Sequence, residues 1–270
     1  MGLKTLLKSG VILDLYLYKN NRGAFISMLL WPYLMLSLML GMGILFGSPE
    51  AFRENIGLQV DPIIYFVAST LITMASLDVM WGVGGNVLFH RWIGTLPYIL
   101  LSPNKTSLTL VFTYIPRYLL TAFIQIAEFA PLIFIIEGPI QGLYKIGILI
   151  IAVTVGMLPL LGFSALFASL LLTIKEETNV LGWLNPIILL FSGAFYPAYL
   201  LPHWARLISQ LLPSTYTIEL ARTAALIGAP KLANITFLIG ILMGIALVYN
   251  MLAYLVVDIG ERKAMKVGAI

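Results

Sequence analysis

Six apolar runs, each bounded by polar or turn-forming residues, constrain this chain more than any other feature. They cover about residues 24–46, 61–87, 106–136, 144–173, 180–195 and 235–257. About 20 apolar residues in helical form cross the ~30 Å hydrocarbon layer of a bilayer. A helix is suited to that layer because it satisfies its own backbone hydrogen bonds. Charged residues make up 10% of the chain and hydrophobic ones 60%, with a mean hydropathy of +0.97. A soluble domain carries about 25% charged residues. The expected fold is therefore all-α and membrane-integral: six transmembrane helices in one transmembrane domain over residues 1–270.

The flanks of these runs set the orientation. Residues 1–22 interleave Lys4, Lys8, Asp14, Lys19 and Arg22 with Leu3, Leu6, Leu7, Leu13 and Leu17, a pattern expected to form an amphipathic helix on the cytoplasmic leaflet. Residues 47–60 are expected as an outer loop, 89–105 as an inner segment, Gly138-Pro139 as an outer turn, and Lys175 to Thr178 as an inner loop. Arg262, Lys263 and Lys266 follow the last run. With both termini cytoplasmic in a cell membrane, ten Lys and Arg lie inside and five lie outside or at the outer edge, as the positive-inside rule requires. Arg117 falls within a crossing.

The stretch from Asn185 to Gly228 cannot be one helix, because Pro186, Pro197, Pro202 and Pro213 interrupt it. Ser192-Gly193 and Pro197 mark the break. Short helices are expected over Trp204–Leu212 and after Pro213, the second capped by Ser214 or Thr215. Broken helices at membrane depth survive only inside protein or along a cavity. Residues 192–230 are thus expected to be an outer re-entrant hairpin.

Several chemistries are excluded by what the sequence lacks. There are no cysteines, so thiolate catalysis and cysteine metal sites are out. His90 and His203 lie far apart, and no metal site is expected. No G-x-x-x-x-G-K-[ST] motif occurs, so no phosphate-cradling loop is expected on this chain. The net charge of +4 reflects inner loops rather than a nucleic-acid partner.

Three segments carry a family resemblance. Ser192-Gly193-Ala194-Phe195-Tyr196-Pro197, then Leu201-Pro202, Leu212-Pro213, Tyr216 and Glu219-x-x-Arg222, resemble the pattern that follows the fifth membrane helix in type-2 ABC exporter permeases. Arg91, Gly94-Thr95-Leu96 and Leu100-Leu101-Ser102-Pro103 resemble that family's inner segment between its second and third helices. The acidic loop Lys175–Asn179 resembles the family more loosely. The resemblance implies an exporter permease subunit that works as a dimer with a second copy or a paralogue. It implies that ATP and magnesium are held by separate ATPase subunits, and that the chain itself is not an enzyme. It makes residues 89–105 a coupling loop (Arg91, Gly94, Thr95, Leu96, Leu100, Ser102, Pro103) docking on the ATPase. It makes Ser192, Gly193, Pro197, Pro202, Pro213, Tyr216, Glu219 and Arg222 the re-entrant gate. Read from the residues alone, Leu96, Ile99 and Leu100 would form an exposed apolar strip that either seeks a partner or rests on lipid.

Ionisable side chains within apolar spans are costly and default to functional candidates. Asp78 and Arg117 lie at matching depth and are expected to pair. Glu128, three turns beyond Arg117, either faces a central path or an outer pocket. Gly43-x-x-x-Gly47 and Gly240-x-x-x-Gly244 are expected to pack within the chain. The alternative function is an ion-coupled secondary transporter using Asp78 and Glu128. Such proteins show duplicated halves with paired broken segments, whereas one broken segment is evident here.

Overall fold

The computed structural model describes residues 2–44, 49–57, 59–102, 104–173, 180–227 and 232–267. The chain is helical throughout these segments. Helix α1 spans Leu3–Asn20 and α2 spans Arg22–Ile44. They meet at 90°. A short helix, α3, covers Pro49–Ile56 in the segment expected to be plain loop. Pro49 at its start, Glu50 in its first turn, and Phe52 and Ile56 on one buried stripe account for it.

Helix α4, Pro62–Val79, starts with Asp61 as its cap. The Asp61 carboxylate accepts from the Ile63 and Ile64 amides at 2.9 and 3.0 Å. A π-helical turn, Met80–Gly84, links α4 to α5, Gly85–Trp92. The crossing therefore continues to Trp92 rather than stopping at Val87. Gly82 allows this turn to press against the Tyr114 ring, where any side chain would overlap. Helix α6 is one turn, Leu96–Leu100.

Helix α7, Thr106–Thr173, is two arms joined at Gly138, whose φ of 76° lies in the left-handed region. The arms fold back on each other: the Tyr118 hydroxyl donates to the Val153 carbonyl at 3.0 Å. Lys145 meets Glu137 at 2.6 Å just past the turn, with the Lys145 side chain almost fully buried. Helix α8 is Val180–Phe191. The chain then breaks at Ser192-Gly193, with Gly193 at φ 80°. A 3₁₀ turn at Ala198–Leu200 precedes α9, His203–Leu211, and α10, Pro213–Arg222. Helix α11 runs from Leu232 to Val267.

Long-range contacts within the chain fix the directions of these helices. Met39 meets Thr70 while Met28 and Leu77 share a cavity wall, so α2 is antiparallel to α4. Ser164 reaches the Val79 carbonyl and Arg91 the Leu171 carbonyl, so the second arm of α7 runs with α4 and α5. Gly162 abuts Tyr249 and Asn250 while Ser169 bonds to Val256, so α11 runs with that arm too. Asn185 accepts from Trp81, and Ala194 is held beside Ser69 through Arg222, so α8 opposes α4. Successive long segments therefore alternate in direction.

Among the described residues, three helices are long and apolar enough to cross a membrane: Pro62–Trp92, Thr106–Leu172 and Leu232–Lys263. A fourth results if α1 and α2 are taken as one bent span. The chain is thus an all-helical membrane protein. Ile64, Leu71, Ile72, Met80, Tyr118, Phe129 and Leu149 form its closed core. Helix α11 packs one face on α7 and leaves Leu247, Met251 and Leu255 exposed. Gly240 and Gly244 also face open space instead of packing within the chain. Close approaches occur at Gly10, Gly162 and Gly260, which abut another helix's backbone, and at Gly82 and Gly156, which abut the side chains of Tyr114 and Thr217. Gly47 lies outside the described residues.

Candidate functional site

The segment between α5 and α7 is clamped at both ends. Arg91 donates to the Leu171 carbonyl at 2.8 Å, closing onto the final turn of the second arm of α7. A cation near a helix C-terminus satisfies carbonyls that have no helical partner. At the other end, Lys105 pairs with Asp258 of α11 at 2.9 Å and stands over the Tyr254 ring at 3.8 Å. Between the clamps, Gly94 at φ 73° ends α5, and the Thr95 amide donates back to the His90 carbonyl at 2.8 Å. The Thr95 hydroxyl and His90 Nδ1 also lie 2.8 Å apart. Ser102 bonds to the Asn104 carbonyl at 3.3 Å. Pro103 lies outside the described residues, as does the acidic loop at 175–179.

Leu96 and Leu100 do not form the exposed strip expected of them: they are 2% and 5% accessible. Pro97 starts α6 in a phase that turns this i, i+4 pair into the core. The exposed apolar edge is instead Trp92, Ile93, Tyr98 and Leu101.

The hairpin after α8 is held from its centre by Arg222. This side chain is buried and donates to Ser69 Oγ at 2.8 Å and to the Ala194 carbonyl at 2.7 Å. It also stands 4.0 Å from the centre of the Tyr65 ring. Glu219 is half-buried one turn earlier. Ser214 and Thr215 do not cap α10; Leu212 is the cap residue and Pro213 the first helical residue. Thr215 instead donates to the Ser209 carbonyl at 2.8 Å, closing the corner between α9 and α10. Tyr216 reaches the Gln210 carbonyl at 3.2 Å. Tyr199 bonds to the Ile56 carbonyl, and the Ile227 amide donates to Gln59. Ser192 and Pro197 are buried at the break, whereas Pro202 is exposed.

The intramembrane charges assemble differently from the expected pair. Asp78 accepts from the Tyr114 hydroxyl at 2.6 Å and from the Thr121 hydroxyl at 3.2 Å. These residues lie one turn to either side of Arg117, and no ion pair joins Asp78 to Arg117 among the described residues. Matching depth sets only the level of two groups; helix rotation turns the hydroxyl face to Asp78 and leaves Arg117 to one side. Arg117 instead faces two cavities. One, of about 470 Å³, lies between α2, α4, α8 and the first arm of α7. The other, of about 800 Å³, lies between α1, α5 and that arm. Trp81 and Arg117 line both. Glu128 lines neither; both its carboxylate oxygens are buried without a hydrogen-bond partner, and its carbonyl accepts from Tyr33 at 3.1 Å.

No three His, Cys, Asp or Glu side chains converge as a metal site among the described residues. The two cavities were not legible in sequence. The signal that could have located them is the pairing of Gly10 with Asp14 one turn later, which a close helix crossing beside a charge requires.

No family model matches the chain. It is similar to ycf38 of Cyanophora paradoxa, a protein named as a transport permease, with 32% identity over 140 residues. The match covers 49% of this chain and 46% of the relative, so the chain spans about half the length of the curated relative it matches. The chain is thus a helical membrane protein with similarity to a transport permease.

Proposed function

We propose that this chain is the membrane-spanning permease subunit of an ATP-driven ABC exporter. In this reading it crosses the membrane six times, through α2, α4–α5, the two arms of α7, α8 with its hairpin, and α11. Both termini lie in the cytoplasm of a cell-membrane protein. Two such chains, or this chain and a paralogue, enclose the path. Separate ATPase subunits bind ATP and magnesium and dock on the segment between Arg91 and Lys105. Helix α1 lies along the inner leaflet, and the hairpin held by Arg222 closes the outer end.

The observation that carries this reading is the clamped inner segment. Arg91 and Lys105 tie it to α7 and α11, while Ile93, Tyr98 and Leu101 remain exposed outside the longest apolar stretches. An apolar edge on a stiffly held segment suits a partner that pushes. The alternation of helix directions and the similarity to a transport permease also support it.

The test is purification from native membranes, with ATPase activity measured on the product. Tyr98→Glu with Leu101→Glu is expected to abolish capture of an ATP-hydrolysing subunit while leaving the heat-unfolding midpoint of the chain unchanged. Those substitutions keep the buried Leu96 and Leu100 intact. A chain that transports on an ion gradient without any ATP-hydrolysing subunit would sink the proposal. Glu128, with its unpartnered carboxylate, would then be the first residue to replace.

A further inference from the structure

Arg117 is the most unusual side chain in the molecule. Its guanidinium offers five N–H donors, yet it makes no hydrogen bond or ion pair among the described residues, and its Nε is buried. A buried donor left unmade is costly, and more so when it is charged. The nearest carboxylates attract it, but neither makes an ion pair with it among the described residues. Asp78 is engaged by Tyr114 and Thr121. Asp14, brought in by the crossing of α1 over the first arm of α7 at Gly10, shares the larger cavity with Arg117 but does not touch it.

The surroundings of Arg117 are built in two zones. Towards the smaller cavity stand Thr121, Asn185 and Gln125, the last 7% accessible with an unpartnered buried Oε1. Towards the larger cavity, Leu13, Trp81, Phe89 and Trp92 form an exposed apolar rim beside the polar side chains Asn20, Asn86 and His90. A guanidinium without a partner, the polar groups Gln125 and Asn185 on one side and an exposed apolar rim on the other match a molecule with a headgroup and a tail. The only missing partner for Arg117 is an acceptor with negative charge.

We propose that this two-chambered crevice binds an amphiphile with a single anionic headgroup, a phosphate or a carboxylate. The headgroup is held by Arg117 and the tail lies along the rim formed by Leu13, Phe89 and Trp92. A hydroxyl or amide next to the headgroup would reach Gln125. Asp14 and Asp78 oppose the anion, so affinity is moderate and rises when one of them is neutralised. The site lies within one chain and does not depend on the ATPase-driven reading above.

The experiment titrates the full chain, in phosphatidylcholine nanodiscs, with dodecyl phosphate. Binding is read as a saturable change in tryptophan fluorescence that Trp81→Phe reduces. Arg117→Gln is expected to weaken binding by about tenfold, the scale of a lost charge-assisted contact. Asp14→Asn is expected to tighten it, a gain that a misfolded variant cannot produce. Dodecyltrimethylammonium should not compete, and inorganic phosphate alone should not bind in the same concentration range. Binding indifferent to both Arg117→Gln and Asp14→Asn would overturn the site, as would effective competition by dodecyltrimethylammonium. Inorganic phosphate binding as tightly as dodecyl phosphate would overturn the amphiphile and leave a free-anion site.

Discussion

Arg222 and Ser69, 153 residues apart in the chain, meet at 2.8 Å and lock the hairpin after α8 to the central helix α4. Removing Arg222 would leave the Ala194 carbonyl and the Tyr65 ring face without their partner, while the Ser69 hydroxyl keeps its bond to the Tyr65 carbonyl. Arg222→Ala should lower stability by about 3 kcal/mol, since it strands a buried carbonyl as well as opening a cavity. Arg222→Lys should recover less than half of that loss, because an ammonium cannot span two acceptors and lie flat on a ring. Heat unfolding of the two variants in the same detergent checks both statements.

The pair at the turn of α7 allows a sharper test. Lys145 and Glu137 meet at 2.6 Å with little access to water. Removing one partner of a buried pair costs about 3–5 kcal/mol because the other charge is left behind. Lys145→Met alone should therefore destabilise more than Lys145→Met combined with Glu137→Leu. A double-mutant cycle on the unfolding midpoint measures the difference, and a double loss equal to the sum of the two single losses would show that the pair is not coupled.

Gly10 supports the docking of α1. A side chain there would run into the Thr113 backbone carbonyl, which cannot swing aside as a side chain could. Gly10→Ala should lift α1 from the first arm of α7 and open α1 to protease, whereas Gly41→Ala, with open space around it, should do neither. Limited trypsin digestion reads the effect at Lys4, Lys8 and Lys19.

Burial pushes the Asp14 carboxyl up to about 6, with Arg117 opposing the shift and Asp78 adding to it. The folded chain therefore holds this proton more tightly than the unfolded chain does. The advantage is present while Asp14 is protonated and is lost as pH rises through about 6. Acidifying from about pH 7.5 to about pH 5.5 should raise the unfolding midpoint, and Asp14→Asn should raise it at the higher pH and flatten this part of the profile. A midpoint that falls with acid in the wild type but not in Asp14→Asn would contradict the account.

The features most legible in the sequence were those written in single residues. Gly138-Pro139 announced the turn of α7, and Ser192-Gly193 with Pro197 announced the break after α8, because glycine and proline act on the backbone where they stand. The features that were not legible depend on helix rotation. Depth along two helices placed Asp78 level with Arg117, but only the assembled bundle turns Tyr114 and Thr121 towards the carboxylate. The same holds for Leu96 and Leu100, whose apolar pattern is equally compatible with facing inward or outward. Helix α3 was missed for a different reason. Its eight residues are too few and too polar to stand out by periodicity, and its stability comes from Phe52 stacking on Tyr65 and Phe66.

The clamps at Arg91 and Lys105 give the inner segment the mechanics of a beam pinned at both ends. Such a beam does not absorb a push by bending; it passes the load to its bearings. Here one bearing is the last turn of the second α7 arm, and the other is Asp258 on α11, the two helices that run side by side in the same direction. A displacement applied at Tyr98 or Leu101 would therefore arrive as a sliding or twisting of this helix pair as one body. The far end of that body is the turn at Gly138, where the buried Lys145–Glu137 pair keeps the two α7 arms from parting.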